Sequence, residues 1–412
     1  MANVVAPRVA CVDLDTFFVS VERLLDPSLV GRPVVVGGRK GSRGVVTSAS
    51  YEVRALGVRS GMPMAEAVRL APDAAFVPTR HATYGPYAAQ VKSVLERWCP
   101  MVRTASIDEF FLDFSGCERL YARPDDADAD ATIARTVRAM RAAIQAEVKL
   151  PASAGIGVTR AVAKMASGRA KPAGVWLVRA GEERAFVAPM SVRKLPGIGP
   201  VAEARLAARG VTTLGQLLAV RDDDPDLGNL AALLRDSLDG PPGVPGRDRP
   251  AFQEHDASAE GSLSNERTFF ADVGERQAAE DALRALVERV TWRLRNRRGL
   301  ARTISLKIRF SDFTTITRGQ TVPPTCAERE VWRVARALLA GAWSPRARGP
   351  TSRLRLLGVQ LSNLIEGERQ LPLFPEERPR AGRAIDAVRA RFGYDAIRLG
   401  ALRDREADRH AG

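Results

Sequence analysis

Hydrophobic positions along this chain recur with two periods, and the switches between them outline its elements. Val9-Ala10-Cys11-Val12 is a continuous apolar run of strand length that leads straight into Asp13-Leu14-Asp15. Phe17–Leu25 follows with helical spacing, Pro33–Gly37 is strand-like again, and Ala129–Val148 reads as a helix entered through the acidic stretch PDDADAD. This alternation continues to about Gly240. Residues 239–262, DGPPGVPGRDRPAFQEHDASAEGS, are rich in Pro and Gly and lose all apolar periodicity, which predicts a linker. Beyond it, Leu283, Leu286, Val287, Val290 and Leu294 form the stripe of an amphipathic helix. Thr303–Phe310 then alternates cleanly, with Ile304, Leu306, Ile308 and Phe310 on one face and Thr303, Ser305, Lys307 and Arg309 on the other. A second Pro-bearing stretch, GERQLPLFPEERPRAG, separates this region from a short charged tail in which Ala384–Phe392 is again helix-like. Strands and helices in this order, with long connections between sequence-distant strands, predict an α+β multidomain chain.

Composition narrows the partners. The 412 residues hold 62 Lys and Arg against 48 Asp and Glu, a net charge of +14. Such an excess suits a polyanion, most often nucleic acid, although only seven of the 62 are Lys and a general Arg bias would produce the same balance. Four scattered cysteines with no C-x-x-C pair, and three histidines, argue against a zinc site and a disulfide framework. The sequence shows no leader pattern and no apolar span of membrane length, so a cytoplasmic protein without a membrane partner is expected.

The stretch Thr104–Gly116, TASIDEFFLDFSG, places Asp108-Glu109 between strand-prone flanks, as if at the tip of a hairpin of 104–107 and 110–114. A two-residue tip favours Asn-Gly or Asp-Gly, so Glu is a poor turn residue there. A solvated acidic turn would fit the pattern. So would one half of a metal site whose other half is Asp13, at the C-terminal end of the first strand. Hard carboxylate oxygens, few in number and completed by substrate phosphates, are the ligands Mg²⁺ prefers. Between Val34 and Arg54 a Gly-rich turn lacks the P-loop order, yet Ser48, Tyr51 and Arg54 could donate to phosphate, as could Lys164. LPGIGP, from Leu195 to Pro200, fits a helix-hairpin-helix better than a dinucleotide fingerprint, with Gly197 and Gly199 offering backbone amides to a DNA phosphate.

Taken in order, VDLDTFFVSVE, SYEVRALGVRSGMP, SIDEFFLDFSG, GIGVTRAVAKMASGRAKPAG and LPGIGP resemble the Y-family translesion DNA polymerases, in their bacterial DNA polymerase IV branch, from about Arg8 to Leu364. The resemblance implies a right hand: a ferredoxin-like palm (1–35 and 80–180), small fingers (36–79), a helical thumb with the helix-hairpin-helix (181–240), a linker (241–262), an α/β little finger (263–366) and a C-terminal tail (367–412). It implies Asp13, Asp108 and Glu109 as catalytic, metal-binding carboxylates, with the Leu14 carbonyl as a further ligand for two Mg²⁺ ions that Mn²⁺ can replace. Asp15 is expected to be structural. Phe17, Phe18, Ser48, Tyr51, Arg54 and Lys164 are expected at the incoming nucleotide, with Phe18 as the ring that collides with a ribose 2′-hydroxyl. Gly197, Gly199, Lys307, Arg309, Arg353 and Arg355 are expected on primer-template DNA. Gln370, Leu371, Leu373 and Phe374 resemble the peptide by which bacterial polymerases dock on the β sliding clamp. The implied activity is low-fidelity, template-directed DNA synthesis by a monomer without proofreading, nucleoid-associated when active. The alternative within the family is an inactive DNA- and clamp-binding adaptor, and a two-metal nuclease fits the nucleotide motifs less well.

Overall fold

The apolar run at the start of the chain becomes the central strand of a five-stranded sheet. The structure, a computed structural model, describes residues 8–239, 261–346, 349, 352–365 and 380–397. It divides into two units, Met1–Glu254 and His255–Gly412. In the first, β1 (Val9–Leu14) lies antiparallel between β6 (Glu109–Asp113) and β7 (Ala152–Gly157), with β5 (Val102–Thr104) and β8 (Val175–Leu177) at the edges. A strand flanked on both sides and covered on both faces has no polar face to show, which is why its sequence does not alternate. Ala10, Val12 and Leu14 share one core with residues of α1 (Phe17–Leu25), α4 (His81–Glu96) and α6 (Ala129–Glu147). Val9, Cys11 and Phe111 pack on Ala163 of α7 (Arg160–Ala170) from the other side. Asp128 caps α6 by accepting from the Ala131 N–H, so the acidic lead-in acts as a cap. The short α5 (Glu118–Tyr121) precedes that cap.

Three more strands make a smaller sheet. β2 (Val34–Gly37) pairs antiparallel with β3 (Val46–Ala49) and parallel with β4 (Ala75–Pro78). Val35, Val46, Ala49, Val53, Met64 and Ala67 close its core with α2 (Tyr51–Ala55) and α3 (Met64–Leu70). The expected boundary between 35 and 36 cuts through β2, because the strand that enters this sheet begins at Val34. Four helices complete the unit: α8 (Glu183–Val187), α9 (Pro200–Ala208), α10 (Leu214–Leu218) and α11 (Gly228–Asp239). A reciprocal capping box of Thr213 and Gln216 opens α10.

The second unit is a four-stranded antiparallel sheet, β11 (Thr315–Thr325), β10 (Leu300–Phe310), β12 (Leu354–Ile365) and β9 (Ser262–Val273) in spatial order. Its core joins α12 (Arg276–Asn296) and α13 (Glu328–Ala342) to the apolar side of β10, and Ile304, Leu306, Ile308 and Phe310 are all buried as the alternation predicts.

One boundary is corrected here. The described part of the expected tail, α14 (Arg380–Phe392) and the turn after it, is built onto α12. Arg295 forks Asp386 at 2.6 and 2.8 Å, Arg389 pairs with Glu288 in the interior, and Tyr394 lies against Trp292 at 4.9 Å between centroids. A buried carboxylate stranded by loss of its partner costs about 3–5 kcal/mol. Arg389→Ala is therefore expected to lower the melting temperature of this unit by roughly 10 °C in scanning calorimetry. An unchanged transition would show that α14 does not hold the unit together.

Candidate active site

The acidic residues meet because of strand register. Asp13 faces Glu109 as a direct partner across β1 and β6. The expected two-residue tip is absent: residues 105–108 form the connection, Glu109 opens β6, and its carbonyl accepts from the Ala105 N–H at 2.9 Å. Glu is thus relieved of a positive φ and gains a ladder position. Asp108 is the last loop residue, and its carbonyl accepts the Leu14 N–H at 2.9 Å, which ties the loop to the end of β1. Burial raises the Asp13 carboxyl above its ordinary range, and the charges of Asp108 and Glu109 add to the rise while Lys171 opposes it. Such a set has the hard oxygen chemistry a divalent cation needs, and a cation there would relieve the repulsion.

Two lysines answer that charge. Lys164 pairs with Glu109, and Lys171 pairs with Asp13 at 2.5 Å. With the carboxylates turned onto lysines, no three His, Cys, Asp or Glu side chains among the described residues converge into a ready-made metal cage. The sequence pattern singles out Lys164 and leaves Lys171 unmarked. A signal was present: Lys is scarce in this chain, and Lys171 lies in the same motif, seven positions on. Lys164 reaches Glu109 because α7 rides close on β7. A Cβ at Gly155 would lie 2.1 Å from both the Ala163 carbonyl oxygen and the Ser167 nitrogen, so only glycine permits the approach.

Asp15, expected to be structural, is 1% exposed and works as a hub. It accepts from Ser153 Oγ at 2.8 and 3.0 Å, from the Ala173 N–H at 2.8 Å and from the Tyr51 hydroxyl at 3.1 Å. The bonds tie β7, the segment following Lys171 and α2 to the end of β1. Arg54 donates Nε to the Ala49 carbonyl at 2.8 Å, and its guanidinium lies 5.4 Å from the Tyr51 ring. Ser48 is buried on β3 opposite Val36. Tyr51, Arg54 and Ser48 therefore sit on the small sheet and its first helix, and Tyr51 reaches the acidic strand end through Asp15.

Thr16 turns β1 into α1 with a left-handed φ of 46°, an uncommon conformation for a β-branched residue. Ser20 Oγ bonds the Asp15 carbonyl at 2.8 Å and lies 3.2 Å from Thr16 Oγ1, bracing the turn. The two phenylalanines beyond it part company. Phe17 is 3% exposed and its ring belongs to the core, whereas the half-buried Phe18 stacks on Tyr84. Of this pair, only Phe18 remains partly exposed.

The expected DNA contacts are spread over both units. Gly197 takes a φ of +96° and Gly199 is the N-cap residue of α9. Lys307 is paired with Glu266 at 3.0 Å, Arg309 donates to Thr315 at 2.8 Å, and Arg355 lies 4.2 Å over the Phe313 ring. The Arg353 carbonyl accepts the Ser311 N–H at 3.2 Å, just before β12. The expected clamp peptide, Gln370 to Phe374, lies outside the described residues.

Known proteins share this organisation. The impB/mucB/samB family matches residues 12–168, its C-terminal domain 260–373 and its helix-hairpin-helix motif 180–211. The DNA polymerase IV of Dehalococcoides mccartyi (strain CBDB1) is 35% identical over 398 residues, 95% of this chain and 97% of the relative. This chain belongs to the DNA polymerase IV family. Other family members include that of Halorhodospira halophila, 35% identical over 89% of this chain and 98% of its own, and that of Streptomyces coelicolor, 36% identical over 88% and 72%. Among solved structures, a Y-family chimera of Dbh and Dpo4 covers 87% of this chain and all of its own, at 23% identity and a TM-score of 0.74. The C-terminal-domain match begins just before β9 and takes in the sheet of the second unit, and the helix-hairpin-helix match takes in α8 and α9. The helix-hairpin-helix match encloses both Gly197 and Gly199.

Proposed function

We infer that this member of the DNA polymerase IV family is a DNA-directed DNA polymerase of the translesion type, which adds deoxynucleotides to a primer 3′-hydroxyl. The observation that carries this reading is the register pair Asp13–Glu109, with Asp108 beside it, in a chain related to DNA polymerase IV proteins along 95% of its length. All three carboxylates are present, so nothing favours the inactive adaptor. The chemistry is divalent-metal-dependent. Two Mg²⁺ ions, or Mn²⁺ in their place, would be held by Asp13, Asp108, Glu109 and the Leu14 carbonyl. Bound there, such ions supply Lewis-acid stabilisation of the attacking hydroxyl and of the departing pyrophosphate.

The chain's own groups do the rest. Lys164 and Lys171, beside the carboxylates, would meet the triphosphate together with Tyr51, Arg54 and Ser48 from the fingers. Asp15 keeps Tyr51 and the segment after Lys171 in register with Asp13. Phe18 excludes a ribose 2′-hydroxyl by volume. The amides at Gly197 and Gly199, with Lys307, Arg309, Arg353 and Arg355, hold primer-template DNA by its backbone, without reading sequence. A monomer in the cytoplasm, drawn to the nucleoid when active, completes the reading. No helix among the described residues is long and apolar enough to cross a membrane.

Primer extension on undamaged and lesion-bearing templates, with Mg²⁺ and with Mn²⁺, tests the function. Incorporation dependent on either ion is expected, and a folded, DNA-binding protein that extends with neither would overturn it. The clamp reading has its own test. Deleting Gln370–Phe374 is expected to abolish stimulation by the bacterial sliding clamp, and stimulation that survives the deletion would refute the assignment.

A further inference from the structure

The ring of Phe18 is backed by a charge network whose carboxylate is buried and whose arginine is half exposed. Phe18 stacks on Tyr84 of α4 with centroids 4.0 Å apart and planes 13° from parallel. His81 stands edge-on to Phe18 at 6.4 Å. Tyr84 is fully buried, and its hydroxyl donates to Glu22 Oε1 at 2.7 Å while accepting the Arg80 N–H at 3.1 Å. Burial, with the neighbouring carboxylate, pushes the Tyr84 hydroxyl up to about 12, so it stays a donor. Glu22 lies one helical turn after Phe18 on α1 and is 1% exposed. Its carboxylate takes the fork of Arg80, with Nε at 3.1 Å from Oε1 and Nη2 on Oε2.

A buried carboxylate is costly unless paired and hydrogen-bonded, and an apolar residue at Glu22 would pack in this core without that cost. The network's geometry has a use. Exclusion by volume is only as strict as the excluding ring is stiff, and a half-buried Phe at a helix start has rotamer freedom to yield. Stacking on a second ring restrains it, and that second ring is fixed at its far end by Glu22.

We propose that Glu22, oriented by Arg80, is the positioning residue of sugar discrimination: it locks Tyr84, and Tyr84 stiffens Phe18 against a ribose 2′-hydroxyl. The proposal rests on Phe18 being the sugar gate. The experiment is single-nucleotide insertion by the full chain, comparing ribonucleotide with deoxyribonucleotide efficiency in the wild type, Phe18→Ala, Tyr84→Phe and Glu22→Gln. Tyr84→Phe keeps the stacked ring and deletes only the hydroxyl.

Loss of one such hydrogen bond is expected to raise the ribonucleotide-to-deoxyribonucleotide ratio roughly threefold to tenfold in both Tyr84→Phe and Glu22→Gln. Adding Tyr84→Phe to Phe18→Ala is expected to raise it no further, since the ring it positions is gone. A purely structural role would lower both efficiencies together and leave the ratio fixed, which overturns the proposal. A ratio that relaxes in Phe18→Ala but stays strict in the other two overturns the positioning role alone. A ratio unmoved by Phe18→Ala overturns the gate and the proposal with it. Should Glu22→Gln fail to fold, Tyr84→Phe decides on the same criteria.

Discussion

Asp108→Ala is expected to reduce primer extension roughly 10²-fold to 10³-fold, the scale of loss when a preorganised electrostatic group is removed from a reaction centre. The fold has little at stake in this side chain. Asp108 is half-buried at the end of a loop, where its carboxylate bonds Ser106, and the bond that anchors the loop to β1 uses the Asp108 backbone carbonyl, which alanine retains. Its charge also works against its neighbours, since it helps to raise Asp13. Removing a like charge from a crowded acidic set is neutral or slightly stabilising, as at other sites where stability is given up for function. The variant is therefore expected to melt no lower than the wild type and to bind primer-template DNA, as read by fluorescence anisotropy. Single-turnover extension at the wild-type rate would remove Asp108 from the reaction centre. A large fall in melting temperature would instead make the carboxylate structural.

Phe18→Ala is expected to admit ribonucleotides roughly 10-fold to 100-fold more readily relative to deoxyribonucleotides. Forcing one extra polar atom against a packed ring costs about 1–3 kcal/mol, and that penalty disappears with the ring. The effect is confined to the sugar: efficiency with deoxyribonucleotides is expected to change far less than the ratio, because the acids and lysines lie on other elements. Phe18→Leu, which restores part of the volume without the flat stacking face, is expected to fall between the two. Unchanged sugar selectivity in both variants would leave Phe18 as a packing residue, the role Phe17 already fills beside it at 5.5 Å between centroids.

Much of the architecture is written in local pattern. The uninterrupted run Val9–Val12 identifies a strand buried on both faces, the alternation of Thr303–Phe310 identifies one buried on a single face, and the stripe from Leu283 to Leu294 marks a helix of the same core. All three depend on spacing within one element, which sequence displays directly. The acids stood out because they lie at the ends of strand-like runs, whereas Phe18 was marked by the resemblance of VDLDTFFVSVE alone.

The tertiary structure decided the pairs that lie far apart in the chain. The register of β1 with β6 sets Glu109 opposite Asp13 and turns an expected hairpin tip into the first residue of a strand. The approach of α7 to β7 brings Lys164 to Glu109, and the chain after α7 brings Lys171 to Asp13. Asp15, expected to be structural, joins three elements through bonds spanning 36, 138 and 158 positions, to partners its neighbours in sequence do not name. The tail looked separate because its anchors, Asp386 and Arg389, meet partners 91 and 101 positions away. A charge or hydroxyl shows in sequence what it can donate or accept, but its partner is chosen by packing. The sequence by itself thus determined the elements, the acidic residues and the family, while register and helix packing alone decided which cations, rings and hydroxyls those acids would meet.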